Sequence, residues 1–182
     1  MTEPVESPVL AAVAGRRSWS KVIDVAPSDE ELLEIIGAAG RVADHGALRP
    51  WRVIALRGDD RVKLGRALAK ADGDSKPSTK PLRAPLLLAV VVSVKKSKVA
   101  AWEQEAVASG VAHMISLLLD DAGWGVFWRT GGATRTKAVR KAHGLQKGED
   151  LLGWLYVGGK PGNGRTGRRK TINAKAHFSR MP

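Results

Sequence analysis

The sequence predicts a layered α/β or α+β domain in which helices pack against a β-sheet. Segments whose apolar residues repeat at helical spacing alternate along the chain with short apolar runs typical of strands. One run, residues 85–92, is apolar at every position, as expected for a strand covered on both faces. Residues 102–123 are apolar nearly all round, which is typical of a central helix, and Gly110 would allow close approach of another element or subunit.

The first two predicted helices have clear N-terminal signals. Ser7 is placed as an N-cap and Pro8 at the first helical position, and Gly15 ends the helix. Ser28 and Glu31 form a capping-box pattern at the start of the second helix. Its apolar positions recur at helical spacing, namely Leu32, Ile35, Ile36 and Ala39.

The middle of the chain alternates in the same way. Residues 53–56 form a predicted strand, and a helix begins at Asp59 or Asp60 and ends near Lys70. Residues 71–81 have turn and linker composition and are predicted to form a mobile surface loop rather than a domain boundary.

The last predicted elements precede a basic tail. Residues 125–128 and 151–157 are predicted strands, and between them a basic helix begins at Thr134 or Thr136 and ends near residue 144. Glycines from residue 158 to residue 167 then break regular structure. We therefore expect one domain spanning residues 1–182, with residues 160–182 as a basic C-terminal extension.

Composition sets limits on the function. With 182 residues and 43% hydrophobic residues, the chain can bury a substantial core. It has no cysteine, which excludes disulfides, thiolate metal sites and cysteine nucleophiles and is compatible with a reducing cytoplasm. Residues 1–6 do not resemble a signal peptide, and the longest apolar run is far shorter than the roughly 20 residues of a membrane helix. We expect a soluble, cytoplasmic protein.

The net charge of +12 has two interpretations. It could indicate a nucleic-acid or phosphate partner, or it could reflect a solvated surface together with the basic tail. Residues 160–182 contain seven Lys or Arg and no Asp or Glu, whereas the other basic residues are scattered. Composition alone therefore favours the solvated surface over nucleic acid.

Three polar segments interrupt the predicted core elements. The first is Arg16-Arg17-Ser18, the second is residues 41–51 between a helix and a strand, and the third is residues 128–132 at the end of a strand. Each contains arginine, which pairs well with phosphate, and two contain a hydroxyl. The pattern indicates one anionic ligand bound between distant parts of the chain.

Each segment also has a structural interpretation. On spacing alone, Arg16 and Arg17 are better explained as exposed arginines placed favourably at a helix C-terminus. His45 could contact a ligand, act as a general acid or only stabilise its loop, and Asp44 could cap a turn. Trp128 could be a core residue beside a surface Arg129.

Several catalytic classes lack their motifs. The four histidines have no metal-binding spacing, so a catalytic metal is not expected. The sequence has no GxSxG motif, no phosphate-binding P-loop and no convincing GxGxxG after a strand. Gly162-Asn163-Gly164 is better explained as flexible chain.

Five motifs in register resemble the nitroreductase family, most of all its short bacterial branch of NAD(P)H nitroreductases. The branch shows an early RRS, an HGxLQPW-like segment, a WEQE-like helix start, a GxxWRSG segment and a (V/L)GxLYxG strand. The corresponding residues here are 16–18, 45–51, 102–105, 125–131 and 152–158. The resemblance covers about residues 16–159.

The resemblance implies an α+β fold with a central mixed sheet between helices, built as an intertwined homodimer with FMN at two interface sites. Arg16, Arg17 and Ser18 would contact the phosphate and ribityl end of FMN. Arg41 and His45 would reach the flavin from the other subunit. The remaining residues expected to complete the pocket are Trp128, Arg129 and Thr130.

The implied activity is an FMN-dependent oxidoreductase with NAD(P)H as co-substrate. The flavin would carry hydride to a nitroaromatic, a quinone or a similar small acceptor by ping-pong kinetics, with no catalytic side chain and no metal. Two alternatives stay open: a flavin-binding or nucleic-acid-associated regulatory protein that uses the basic tail, and a same-fold enzyme that dehalogenates its substrate or fragments flavin.

The sequence departs from the branch pattern at three places. Arg49 stands where glutamine is usual, which would shift redox potential or substrate preference if its side chain faces the ring. Thr130 replaces serine and keeps the hydroxyl. The tail is more basic than is usual, and in this family such an extension often embraces the partner subunit, where its charges could meet an acidic surface.

Overall fold

A computed structural model of the chain describes residues 7–162 and 172–181. Residues 1–6, residue 182 and residues 163–171 of the predicted basic tail lie outside these ranges. Within them the elements are α1 (Pro8–Gly15), α2 (Asp29–Ala39), β1 (Trp51–Leu56), α3 (Asp59–Asp72), β2 (Leu86–Ser93), α4 (Ala101–Asp121), β3 (Trp124–Arg129), α5 (Lys137–Ala142) and β4 (Glu149–Gly159). The predicted helices and strands are all present, and β1, β3 and β4 extend beyond their predicted ends.

The four strands form one sheet in the order β1-β2-β4-β3, and every neighbouring pair is antiparallel. The last strand of the chain is therefore inserted between β2 and β3. These two strands run parallel to each other without pairing, and α4 makes the crossover between them. The structure confirms the α+β class, but within the described residues the sheet is antiparallel throughout rather than mixed.

Helices cover both faces of this sheet. On one face α2 and α4 pack against alternate β2 residues such as Leu88 and Val90. On the other face α3 and α5 pack against the intervening residues such as Leu87 and Ala89. Because both sets of β2 side chains are buried, the prediction of a strand covered on both faces is confirmed.

Only one side of α4 is buried. The side chains that face the core are Gln104, Ala108, Val111, Ala112, Ile115, Ser116 and Leu119. Val107, Met114 and Leu118, on another side of the helix, are only half-buried. A second apolar side of α4 therefore remains partly open. Among the described helices, none is both long and apolar enough to cross a membrane.

Side-chain caps begin three of the helices as predicted. The hydroxyls of Ser7, Ser28 and Thr136 each accept a hydrogen bond from a backbone amide three residues later. The second hydrogen bond of the predicted capping box, from the Ser28 amide to the Glu31 side chain, is absent. The carboxylate of Glu31 instead accepts a 2.5 Å hydrogen bond from the indole of Trp124. Glu31 thus ties α2 to the start of β3.

The prediction of a mobile loop at residues 71–81 is wrong for the last residues of that segment. The Ser78 amide donates a 3.0 Å hydrogen bond to the carbonyl of Gly65 in α3. A Cβ atom on Gly65 would collide with the Ser78 carbonyl oxygen, so glycine permits this close approach. Pro81 is buried in the 3-10 turn that follows. These residues are packed against the helix.

A largely buried ion pair joins β1 to β4. The Arg52 guanidinium donates two 2.7 Å hydrogen bonds to the carboxylate of Glu149, and the Gln146 amide donates a third of 2.9 Å. The Glu149 side chain is 8% exposed and that of Arg52 is 39% exposed. Hydrogen bonding from Arg52 is the main cause that lowers the pKa of Glu149 from 4.5 to about 2, against the opposing effect of burial.

A bulge in β4 shapes the end of β3. Val90 pairs with Gly153 and Val91 pairs with Leu151, so Leu152 is an extra residue in the ladder. The Thr130 hydroxyl donates a 2.9 Å hydrogen bond to the Leu152 carbonyl. Gly153 has φ 152°, and a Cβ atom there would lie 2.6 Å from Trp128 Nε1 and collide with the carbonyl of Arg129. Gly153 therefore permits the close packing of β3 on β4.

Replacing Glu149 by Gln is expected to lower the free energy of unfolding by about 2 kcal/mol at pH 7, less than the full pKa change implies because solvent screens Arg52. A carboxylate whose folded pKa is lowered stabilises the protein above its unfolded pKa and loses this effect as pH falls through the folded pKa. The difference from wild type should therefore shrink between pH 4.5 and about 2.

Urea unfolding of both proteins at pH 7, 4 and 3 measures this difference. Asp150→Asn is the matched control, because Asp150 also pairs with arginines but its side chain is 48% exposed. Asp150→Asn should lower the free energy of unfolding by less than Glu149→Gln does. If Glu149→Gln lowered the free energy of unfolding by the same amount at all three pH values, the lowered pKa of Glu149 would be contradicted.

Replacing Gly153 by Ala is expected to lower the free energy of unfolding by about 2–3 kcal/mol, because the new methyl group clashes with β3 and strains the backbone. Gly132→Ala is the control, since no atom lies within 4 Å of the position its Cβ would take. Thermal and denaturant unfolding compare the two variants. Equal stability of both would show that the bulge tolerates a side chain.

Candidate functional site

The first polar segment lies between α1 and the edge of the sheet. Arg16 caps the C-terminus of α1, where its amide donates a 2.9 Å hydrogen bond to the Ala12 carbonyl. Arg16 and Arg17 are half-buried and Ser18 is exposed. The Trp19 amide then donates a 2.8 Å hydrogen bond to the Val126 carbonyl of β3. The arginines are therefore held close to the protein surface rather than extended into solvent.

Asp120, at the end of α4, anchors the residue that follows this segment. Its carboxylate accepts a 3.1 Å hydrogen bond from the Trp19 indole and lies 3.3 Å from the ammonium of Lys160, which follows β4. The same ammonium donates a 2.7 Å hydrogen bond to the Asp120 carbonyl and lies 5.6 Å from the Trp19 ring. Three distant parts of the chain are fixed at this point.

The residues that follow the first segment run alongside β3. Trp19 lies beside Val126, whereas Val22 contacts Gly125, and Ile23 pairs with Gly159 at the opposite end of the β3–β4 ladder. With increasing residue number the chain thus runs toward the start of β3. The first segment is therefore tied through Trp19 to the strand that the third segment ends.

Trp128 and Arg129 lie on opposite faces of the sheet. The Trp128 ring meets the His113 ring of α4 edge-on, with centroids 5.0 Å apart. The Arg129 guanidinium lies over the Phe127 ring at 4.5 Å and 5.2 Å from the Tyr156 ring. Burial raises the pKa of Tyr156, and the positive charge of Arg129 opposes this shift. Trp128 therefore faces α4 while the charge of Arg129 is held by two aromatic rings.

Two buried donors in the third segment have no hydrogen-bond partner among the described residues. They are the indole nitrogen of Trp128 and Nε of Arg129. Unpaired buried donors are uncommon in folded proteins and often occur near functional sites. Both lie at the end of β3.

Gly131 and Gly132 open the backbone after β3. Gly131 has φ 135°, which favours glycine, and neither residue has an atom within 4 Å of its would-be Cβ. Within the described residues their amide N–H groups donate no hydrogen bond, although the Gly131 carbonyl accepts from Thr134. The end of β3 thus offers two free backbone donors in open space.

The second polar segment is a tight and strained loop. Gly46, Ala47 and Arg49 all have positive φ, at 78°, 50° and 47°. Two of these are not glycine, which indicates backbone strain of the kind found at functional loops. The Asp44 carboxylate accepts a 2.7 Å hydrogen bond from the Arg49 amide, and its carbonyl accepts from Ala47. Asp44 therefore caps the turn, as its structural interpretation predicted.

This loop is attached to the N-terminal end of α4. His45 Nδ1 lies 3.3 Å from Oε2 of Glu103, Gly46 approaches Val99, and Val42 packs near Gly110. Arg41, His45 and Arg49 are exposed. Next to Glu103, the buried amide of Gln104 makes three hydrogen bonds to the backbone of Lys95 and Val99 and holds the preceding loop.

One chain does not bring all three segments together. Glu103 anchors the second segment and Asp120 anchors the residue after the first, and these two positions are about 26 Å apart along the axis of α4. The residue after the first segment is therefore held near the C-terminal end of α4, and the second segment lies near its N-terminal end.

Sequence reasoning missed three residues that position these segments: Glu103, Asp120 and Gly153. Glu103 lies in the quoted WEQE motif, which could have drawn attention to it. The sequence around Asp120 gave no signal. A negative charge at the C-terminal end of a helix interacts unfavourably with the helix dipole, so such a residue is expected to lie in solvent rather than to hold other parts of the chain. Gly153 looks like an ordinary interruption of an apolar strand until its neighbour β3 is known.

A cavity of about 380 Å³ lies elsewhere, toward the start of β2. Arg61, Arg83 and Asp24 contribute its polar wall, but no residue of the three segments lines it. In the residues that the structure describes, no group of three or more His, Asp or Glu is arranged to hold a metal ion.

Comparison with known proteins identifies the relatives of this chain. A model of the Nitroreductase family matches residues 13–159. The Escherichia coli (strain K12) protein named putative NAD(P)H nitroreductase YdjA is 32% identical over 158 residues, which cover 82% of this chain and 86% of the relative. A Haemophilus influenzae protein named putative NAD(P)H nitroreductase is 27% identical over 159 residues, with the same coverage of 82% and 86%.

Solved structures share the fold at lower sequence identity. A nitroreductase-like family protein from Bacillus cereus superposes with a TM-score of 0.82 at 20% identity and covers 99% of each chain. The FMN and NADPH-dependent nitroreductase NfnB from sphigopyxis sp. strain HMH gives a TM-score of 0.78 at 17% identity, covering 97% of this chain and 100% of NfnB. Because the family model spans most of the chain and the fold agrees, this protein belongs to the nitroreductase family of oxidoreductases.

Proposed function

We propose that this protein is an FMN-dependent oxidoreductase that uses NAD(P)H to reduce nitroaromatics, quinones or similar small acceptors. The observation that carries the proposal is, among the described residues, the group of unpaired buried donors and free glycine amides at the end of β3, the strand to which Trp19 ties the first segment, in a chain of the nitroreductase family. The relatives named as NAD(P)H nitroreductases and the neighbour named as FMN and NADPH-dependent support the choice of cofactor and co-substrate.

The first segment fits the anionic end of FMN. Two half-buried arginines and a serine hydroxyl offer several donors at one place, and guanidinium groups bind phosphate through paired N–H groups. Asp120 and Trp19 fix the backbone that follows, so less conformational freedom is lost on binding. Arg16, Arg17 and Ser18 thus hold the phosphate and ribityl end.

The third segment fits the ring end. The free amides of Gly131 and Gly132 and the nearby Thr130 can donate to a ring that gains negative charge on reduction. Thr130 keeps the hydroxyl of the family pattern, although here that hydroxyl already donates to the Leu152 carbonyl. Trp128 supplies an apolar wall from the side of α4, and Arg129 adds positive charge from the opposite face.

FMN held by these residues would supply the hydride transfer from NAD(P)H to the acceptor, so no side-chain nucleophile is required. The chain's own task is to bind and orient the cofactor and to leave one face open. NAD(P)H and the acceptor then occupy that face in turn, which gives ping-pong kinetics.

The proposal includes an intertwined homodimer with two sites at its interface. The second segment lies far from the first, so Arg41 and His45 complete the site of the other subunit. Two apolar surfaces support this arrangement. One is α1, where Val9, Leu10 and Val13 are 68%, 68% and 52% exposed, and the other is the half-buried side of α4. In the dimer both surfaces are covered.

The C-terminal extension, residues 160–182, embraces the partner subunit in this proposal. Its described residues include the exposed Ile172, Phe178 and Met181, whose apolar side chains find no cover within the described chain. The single-domain organisation and the cytoplasmic location, expected from length and the absence of cysteine, stay predictions.

The purified protein is expected to show the visible absorption bands of a flavin, either as isolated or after addition of FMN. Anaerobic addition of NADPH or NADH should bleach these bands, and a nitroaromatic or quinone should restore them. Anaerobic absorption spectroscopy measures both steps. A protein that neither contains nor takes up FMN would overturn the proposal.

Replacing Arg16 by Ala is expected to weaken FMN binding by about tenfold or more, because a charge-assisted hydrogen bond to phosphate is lost. Quenching of FMN fluorescence on titration with FMN-free protein measures the affinity. Arg66→Ala is the matched control, since Arg66 is an exposed arginine on α3 that belongs to none of the three segments. If both variants bound FMN as wild type does, the phosphate would have to be held elsewhere.

A further inference from the structure

The carboxylate of Glu103 serves two groups at once. Its Oε1 accepts a 3.3 Å hydrogen bond from the Ala100 amide and so caps the N-terminus of α4. Its Oε2 lies 3.3 Å from Nδ1 of His45. The Glu103 side chain is 32% exposed and the His45 side chain is 77% exposed in the single chain. The helix therefore holds one side of an imidazole ring whose other side is open.

A carboxylate at Nδ1 determines what the other ring nitrogen can do. Because a carboxylate oxygen only accepts, Nδ1 carries the proton and donates it to Glu103. Nε2 lies across the ring from Nδ1 and faces away from Glu103. With Nδ1 bound to Glu103, Nε2 is the ring nitrogen left to form a hydrogen bond with a ligand.

The second segment that carries His45 is fixed before any ligand binds. Asp44 ties the turn through the Arg49 amide, and Gly46 packs against Val99. Gln104 holds the backbone of Lys95 and Val99 from beneath. The strained backbone of Ala47 and Arg49 persists because these contacts define it. His45 is thus a pre-oriented group on a rigid support.

We infer that Glu103 is a positioning residue that fixes the orientation and the Nδ1–H tautomer of His45, so that Nε2 of one subunit hydrogen-bonds to the cofactor bound mainly by the other. This inference rests on the proposed function, in which His45 reaches the partner's FMN. The contacts that hold the cofactor are then shared between subunits.

A neighbouring glutamate provides a matched control. Glu105 lies two positions along α4, and its carboxylate is 3.6 Å from Arg135 rather than near His45. Glu103→Gln and Glu105→Gln remove the same charge from the same helix. In Glu103→Gln the amide oxygen can still cap Ala100, which leaves the NH₂ group facing Nδ1. The ring nitrogen must then accept rather than donate.

The first test uses the protein without FMN and does not depend on activity. Nitrogen NMR of ¹⁵N-histidine-labelled protein reports the protonation of each ring nitrogen, and His45→Gln assigns the His45 signals. Wild type and Glu105→Gln should show Nδ1 of His45 protonated, and Glu103→Gln should change that state. An unchanged His45 signal in Glu103→Gln would overturn the inference.

The second test measures the midpoint potential of bound FMN. Because Glu103→Gln reverses the hydrogen-bonding roles of the ring nitrogens, it is expected to change the affinity for reduced FMN relative to oxidised FMN by about tenfold, which is a shift of about 30 mV for a two-electron couple. Glu105→Gln should leave the potential unchanged. In a His45→Gln background, adding Glu103→Gln should have no further effect. A Glu103→Gln shift that persists without His45 would overturn the inference, because it would show action through the helix alone.

A second variant and the wild type make every outcome decisive. Glu103→Asp keeps the charge but shortens the side chain, so it also removes the contact with His45. If Glu103→Gln does not fold, the midpoint potential of Glu103→Asp should be shifted from that of wild type instead. If wild type binds no FMN, both the proposed function and this inference fail. If wild type binds FMN but Glu103→Gln and Glu105→Gln have the same potential, only this inference fails.

Discussion

The packing of one side of α4 against the sheet is the interaction on which the rest of the structure depends. Ala108, Val111, Ile115 and Leu119 are completely buried there. Burial of each larger aliphatic side chain contributes about 1.5–3 kcal/mol, so the helix cannot shift without losing much of the core. The residues at its ends, Glu103 and Asp120, hold two of the three polar segments. A rigid helix therefore fixes the distance between parts of the site that lie far apart in sequence.

The fold was predictable wherever the information was local. The capping residues Ser7, Ser28 and Thr136 and the continuous apolar run of β2 follow from neighbouring residues, and the structure confirms them. By contrast, β1 and β4 each begin two residues before their predicted starts. The position of β4 between β2 and β3 was not predictable, because strand order depends on contacts between distant residues. The same reason explains Glu31, whose carboxylate prefers the Trp124 indole to its own helix, and Ser78, which is held by Gly65.

The site was predictable in its residue types but not in its arrangement. Arginines, hydroxyls and glycines in unusual surroundings identified the three segments and their family resemblance. The alternation of a strand then separates Trp128 from Arg129, and the length of α4 separates His45 from Arg16. Residues that position others were harder to find, since Glu103 and Asp120 resemble ordinary surface acids until their partners are known. Such roles arise only from tertiary contacts.

The late insertion of β4 has a consequence for biosynthesis. While the ribosome makes the first 148 residues, β2 and β3 are present but the strand that joins them is not. An apolar strand then has an unpaired edge, which invites association with other nascent chains. The sheet closes only after β4 becomes available to pair, and Gly159 then also pairs with Ile23. Until that point the exposed edge of β2 is the part of the sheet most open to aggregation.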